Sequence, residues 1–184
     1  MEVRGEYQID APRQDVWEAL NNADVLERCI PGCDSLQKVG DNEFAAIVTA
    51  AIGPVRAKFN TILSLEDLNP PDSYRLVGKG KATVGFGSGS AQVHLRDNGH
   101  GTLLSYNANF KVGGKLAQIG SRLVLGATKK TADDFFGAFS KELDLGAERI
   151  EIETKLGQTT SLPGVWLAIG GAILILLTLW FLLR

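Results

Sequence analysis

The hydrophobic period of this 184-residue chain changes once, at Gly113-Gly114, and that change limits what it can fold into. Ahead of the glycine pair, apolar and polar residues alternate in run after run, as a sheet with one covered face requires. Phe44, Ala46, Val48, Ala50 and Ile52 fall on one side, as do Val55, Ala57, Phe59, Thr61, Leu63 and Leu65, with Arg56, Lys58, Asn60, Ser64 and Glu66 opposite. Leu104, Tyr106, Ala108, Phe110 and Val112 repeat the pattern. Behind the pair, Leu116, Ile119, Leu123, Ala127, Phe135, Phe139 and Leu143 recur at three, four or eight residues, the period of a helix.

Turn signals such as Gly40-Asp41-Asn42, Gly53-Pro54, Asn69-Pro70-Pro71-Asp72 and Asp97-Asn98-Gly99 divide the first part into strands over 2–9, 35–39, 43–52, 55–68, 73–79, 87–96 and 102–112. Signals this regular predict an antiparallel meander. Between the first two strands, Asp10-Ala11-Pro12 reads as a helix start, with Asp10 able to cap it and Val16, Trp17 and Leu20 turned inward. A second short helix over Ala23 to Arg28 ends before Pro31-Gly32. The long helix, Lys115 to about Leu145, can bury its stripe only in the palm of the curved sheet. The expected fold is α+β, a helix-grip domain over residues 1–145.

Val165 to Leu183 is a run of nineteen residues without charge or proline, flanked near its ends by Trp166 and Trp180. As a helix it would be roughly 28 Å long, close to the ~30 Å hydrocarbon core of a bilayer, and indole rings favour the headgroup region. This predicts one transmembrane anchor over 165–183, joined to the domain by a flexible linker over 146–164 with a typical span of about 24 Å. The amino terminus, MEVRGEYQID, lacks the apolar core of a secretion signal. The expected location is the cell membrane, single-pass, with the domain on the cytoplasmic side. A net charge of −2 gives no electrostatic footprint for nucleic acid or anionic lipid.

No catalytic constellation is visible. Neither His94 nor His100 has a nucleophile or carboxylate partner by spacing, and scattered carboxylates usually form a solvated surface. Cys29 and Cys33 fall short of the four ligands of a structural zinc site and read as ordinary loop or core cysteines. Gly85-Phe86-Gly87-Ser88-Gly89-Ser90 precedes a strand where a phosphate loop needs a helix terminus. Glycine at every second position instead clears one face of a strand for bending or for close approach by another element.

The inward positions are small: Ala46, Ala50, Ala57, Ala108, Gly87 and Gly89 on strands, Gly120 and Ala127 on the helix. Such a palm either closes tightly on its helix or leaves a hollow, whose walls would be Phe59, Leu63, Phe86, Tyr106 and Phe110. A hollow so lined suits an apolar small molecule.

Gly113 to Leu143 (GGKLAQIGSRLVLGATKKTADDFFGAFSKEL) resembles the carboxy-terminal signature of the carbon monoxide dehydrogenase G-subunit family, in the START and polyketide-cyclase-like helix-grip superfamily. IDAPRQDVWEALNNADVLERCIPGC, IGPVRAKF, GFGSGSAQVHL and GTLLSYNANFKVGG agree with it, so the likeness covers residues 1–145. The resemblance implies a non-enzymatic accessory protein linked to molybdenum hydroxylases of the CO dehydrogenase type, with a cavity for a respiratory quinone or similar lipid and a carboxy-terminal anchor. Mapped onto this chain by alternation and helical period, the ligand would meet the concave positions above together with Leu76, Leu116, Ile119, Gly120, Leu123, Val124 and Ala127. The alternatives are a purely structural membrane recruiter of the dehydrogenase and a general lipid-binding protein.

Overall fold

The computed structural model describes residues 1–99 and 101–158, with their side chains as far as residue 144. The chain divides into two units, Met1–Leu145 and Gly146–Arg184, and everything below concerns the first unless stated. Its seven strands, β1 (Glu2–Ile9), β2 (Cys33–Gly40), β3 (Glu43–Ile52), β4 (Val55–Asn69), β5 (Ser73–Ala82), β6 (Gly85–Asp97) and β7 (Thr102–Gly114), form one antiparallel sheet in the order β1-β7-β6-β5-β4-β3-β2. From β2 to β7 each strand pairs with its successor through a short turn, and β1 completes the edge by pairing with β7, Glu2 opposite Asn109 and Ile9 opposite Thr102.

Alternation sets the faces. Phe44, Ala46, Leu65, Val93, Leu95 and Leu104 are buried on the concave side, where they meet Val16, Trp17 and Leu20 of α1 (Arg13–Leu20). Helix α2 (Ala23–Cys29) follows at once, its first turn capped by Asn22, whose side-chain oxygen accepts from the backbone N–H of Asp24 at 2.9 Å and Val25 at 3.3 Å. Asp10 does not cap α1. Pro12 takes the cap position and offers no side-chain bond, and the start of the helix is held instead by Arg13, which reaches Asp72 at 2.5 Å and Asp97 at 3.1 Å.

The helix in the palm differs from the expected single rod. It is broken into α3 (Lys115–Gln118) and α4 (Ser121–Gln158) at Gly120, whose φ of +95° is open to glycine and strained for any other residue. Helix α4 also continues beyond Leu145 into the stretch expected to be a coil, as far as Gln158. Ala147, Glu148, Glu151, Glu153 and Lys155 there are strong helix formers, and Glu151 precedes Lys155 by four, the favourable order. Among the described residues no helix is long and apolar enough to cross a membrane. The run 165–183, with Trp166 and Trp180, lies outside the described residues, as does the rest of the expected linker, 159–164.

Candidate functional site

Phe139 of α4 is fully buried against the core, and Phe135, one turn earlier, stacks on it with ring centroids 5.7 Å apart. Beyond Phe135 the helix and the sheet do not close on each other. A partly enclosed cavity of about 290 Å³ remains, floored by Leu63, Leu65, Leu76 and Val93 and walled by Leu20, Leu26 and Ile30 on one side and Ala132, Phe135 and Phe136 on the other. Ala91, Ala108 and Ala132, small residues on facing elements, leave its volume unfilled. Outside this lining, Arg28 of α2 pairs with Glu142 of α4.

Two residues of this lining carry a polar side-chain atom, Tyr74 and Tyr106. Tyr74 is 6% exposed and meets Trp17 edge-on, ring centroids 5.6 Å apart. Its hydroxyl has no hydrogen-bond partner among the described residues, where the one sealed, unpartnered side-chain nitrogen or oxygen is Arg13 Nε. The Tyr74 side chain borders the cavity. Burial pushes its ionisation well above the ordinary tyrosine value, so the hydroxyl is a neutral donor.

Tyr106 belongs to a polar rim. Its ring lies over Gly5, where a Cβ would stand 2.6 Å from Cε1, so the absent side chain makes room for it. Beside it, Tyr7 stacks on Phe136 with centroids 4.1 Å apart and donates its hydroxyl to Asp133 Oδ1 at 2.6 Å. Desolvation first, then the bond to Asp133, raises the ionisation of Tyr7 well above 10.0. For Tyr7 and Tyr74 the sign is the same: an unfolded chain releases these protons near pH 10 and the native fold does not. Stability is expected to hold up to about pH 9 and to fall as pH rises beyond about 10, and less steeply in Tyr74→Phe. Thermal unfolding followed across that range checks it.

Of the positions expected to meet a ligand, Phe44, Leu63, Leu65, Leu76, Leu104, Tyr106 and Ala108 line the cavity. Phe59 and Phe110 share the concave face but lie outside this lining, Phe110 covering Gly89. Leu116 and Val124 are buried away from it, Ala127 is half-buried, and Ile119 and Leu123 face Gly53 in the turn between β3 and β4. Gly120 has open space where a side chain would project. Phe86 is on the other side of the sheet. Gly85, Gly87 and Gly89 take the inward positions of β6, which turns Phe86 outward over Gly113, half exposed. The alternation of glycine does clear a face: Gly85 packs against Gly113 and Leu116 with no room for a Cβ. Tyr74, the α1 and α2 residues, and Ala132, Phe135 and Phe136 were not among the expected positions.

Cys29 and Cys33 are free thiols, both raised in pKa by burial, and among the described residues no group of three or more His, Cys, Asp or Glu is placed to hold a metal.

The family model of the carbon monoxide dehydrogenase G subunit, CoxG, matches residues 5–144, the sheet but for the first three residues of β1 together with every residue that lines the cavity. The chain belongs to the CoxG family. CoxG is an accessory subunit family, not a catalytic one. A conserved protein from Geobacillus kaustophilus is 31% identical in its crystal structure, with a TM-score of 0.75, covering 78% of this chain and 95% of that one. A protein from Thermus thermophilus aligns at 14% identity and a TM-score of 0.62, over 79% of this chain and 99% of the other. The Zhui aromatase/cyclase from Streptomyces sp. R1128 aligns at 14% identity and 0.57, over 78% and 93%. These last two likenesses establish the helix-grip fold of this CoxG protein and nothing of its chemistry. No curated relative matches the chain.

Proposed function

We propose that this CoxG protein carries a respiratory quinone in its cavity and serves a molybdenum hydroxylase of the CO dehydrogenase type at the cell membrane. The observation that carries the reading is Tyr74: a buried tyrosine whose hydroxyl has no partner among the described residues, at the wall of a cavity lined by apolar side chains apart from it and Tyr106. A ligand acceptor that meets this hydroxyl gains a hydrogen bond worth about 0.5–1.5 kcal/mol. A quinone ring is apolar on both faces and presents carbonyl oxygens at its edge, so it satisfies the hydroxyl and the hydrocarbon wall together.

Size agrees. An apolar cavity of ~150 Å³ accepts benzene, so about 290 Å³ accommodates a fused pair of rings with small substituents. A long prenyl tail would extend through the open side. The nineteen-residue uncharged run Val165 to Leu183 supports a tether that keeps the carrier beside the one solvent in which such a tail dissolves. The family supports the dehydrogenase as partner.

Menadione and 2-methylnaphthalene share a ring skeleton and differ in the two carbonyls, so they isolate the role of the hydroxyl. The full-length protein is expected to bind menadione more tightly, and Tyr74→Phe to lower that affinity about tenfold while leaving 2-methylnaphthalene unchanged. Equal affinity for the two compounds, or an unaltered preference in the variant, would overturn the reading.

A further inference from the structure

A net charge of −2 conceals a segregation. Residues 44–65, 73–96 and 98–132 hold eleven of the chain's 19 Lys and Arg and none of its 21 Asp and Glu. Folding gathers parts of these segments at one end of the domain. The β3–β4 turn lies against the α3–α4 junction, where a Cβ on Gly53 would be 3.5 Å from Leu123 and 3.6 Å from Ile119. The β5–β6 turn lies against α3 through Gly85 and Leu116. Arg56, Lys81, Lys115 and Arg122 are exposed on these tips, and none of the four forms an ion pair among the described residues. Lys58, further from the tip, is bound to Asp34 at 2.8 Å. The turns at the opposite end of the sheet carry Asp41, Asp72 and Asp97.

The same end exposes apolar surface. Phe86 and Leu123 are each 52% exposed, and Ile52, Val55, Val84 and Ile119 are half-buried beside them. Lys81, Val84, Phe86 and Lys115 border one shallow groove. Cations flanking exposed aliphatic and aromatic side chains, with no carboxylate between them, match a headgroup layer that is anionic at its surface and apolar beneath. A nucleic-acid surface would leave the aliphatic side chains without a counterpart.

We infer that this end of the domain, the tips of β3–β4 and β5–β6 together with the α3–α4 junction, docks on an anionic lipid bilayer. The contact belongs to the folded domain itself and stands whatever the cavity carries. Phe86 and Leu123 enter the headgroup layer while the four cations meet lipid phosphates. The total charge, which argued against a lipid footprint, is a sum over two ends of opposite sign.

Hydrogen exchange on the full-length chain tests it, in vesicles of phosphatidylcholine alone and with about a third phosphatidylglycerol. The apolar run 165–183 is present in both, so it cannot produce a difference. Exchange in 52–56, 81–86 and 114–123 is expected to slow on the anionic vesicles alone and to recover at about 0.5 M salt. Lys115→Gln with Arg122→Gln, both at exposed positions, is expected to weaken the protection about fivefold per cation, and Leu123→Ser to weaken it without changing its salt dependence. Equal protection on neutral vesicles, no protection on either, or equal protection by soluble polyphosphate would each overturn the assignment.

Discussion

Ala132→Trp is expected to abolish menadione binding, at least a hundredfold, while the protein still folds. Ala132 projects from α4 into the cavity wall opposite Leu63 and Leu76, and its methyl group is one reason the space exists. An indole there occupies the volume a ligand ring would take, and the filled cavity gains contacts that offset much of the 1–3 kcal/mol usually lost on overpacking. Ala91→Phe blocks the same space from the sheet side, so two independent positions report on one cavity. Titration with menadione, alongside thermal unfolding as a check on folding, gives the result. Undiminished binding in both variants would place the ligand elsewhere on the molecule.

Phe139→Ala is expected to be the most damaging single truncation for stability, about 3–5 kcal/mol, lowering Tm by roughly 10 °C or more. The ring is 0% exposed, stacks on Phe135 and belongs to the cluster that joins α4 to α1 and the sheet. Its loss removes the packing that fixes the height of α4 above the sheet, so menadione affinity should fall as well. Thermal unfolding of the variant settles the first part, and a loss below about 1 kcal/mol would mean that α4 is held chiefly by other contacts.

The strands were legible because a covered sheet imposes alternation on its residues, and Gly-, Pro- and Asp-containing turns interrupt it at each hairpin. Glu43–Ile52 ends where its pattern does. The break at Gly120 was not legible, since one glycine inside a helical period is as compatible with a continuous helix as with a bend. Periodicity fixes which side of α4 faces the sheet and leaves open where along that side the packing fails. The cavity therefore opens beside Ala132, Phe135 and Phe136, further along α4 than the expected Leu116 to Ala127. Phe86 misled because size suggested an inward wall, whereas the register gave the inward positions to its glycine neighbours. Tyr74 carried no local signal: one aromatic in a short strand becomes informative only when the fold denies its hydroxyl a partner.

The Arg28–Glu142 pair has a consequence for timing. It joins α2, which supplies Leu26 to the cavity wall, to α4, and its arginine is more than half exposed. Surface pairs of this kind contribute about 0–1 kcal/mol, and parting these two helices breaks no hydrogen bond of the sheet. Exchange of the proposed cargo between α2 and α4 would then need only local helix motion, microseconds to milliseconds, and not the slower global opening that would expose Phe139. Residence time of the proposed cargo would then be set by what the cargo itself grips, so that delivery would be as ready as loading.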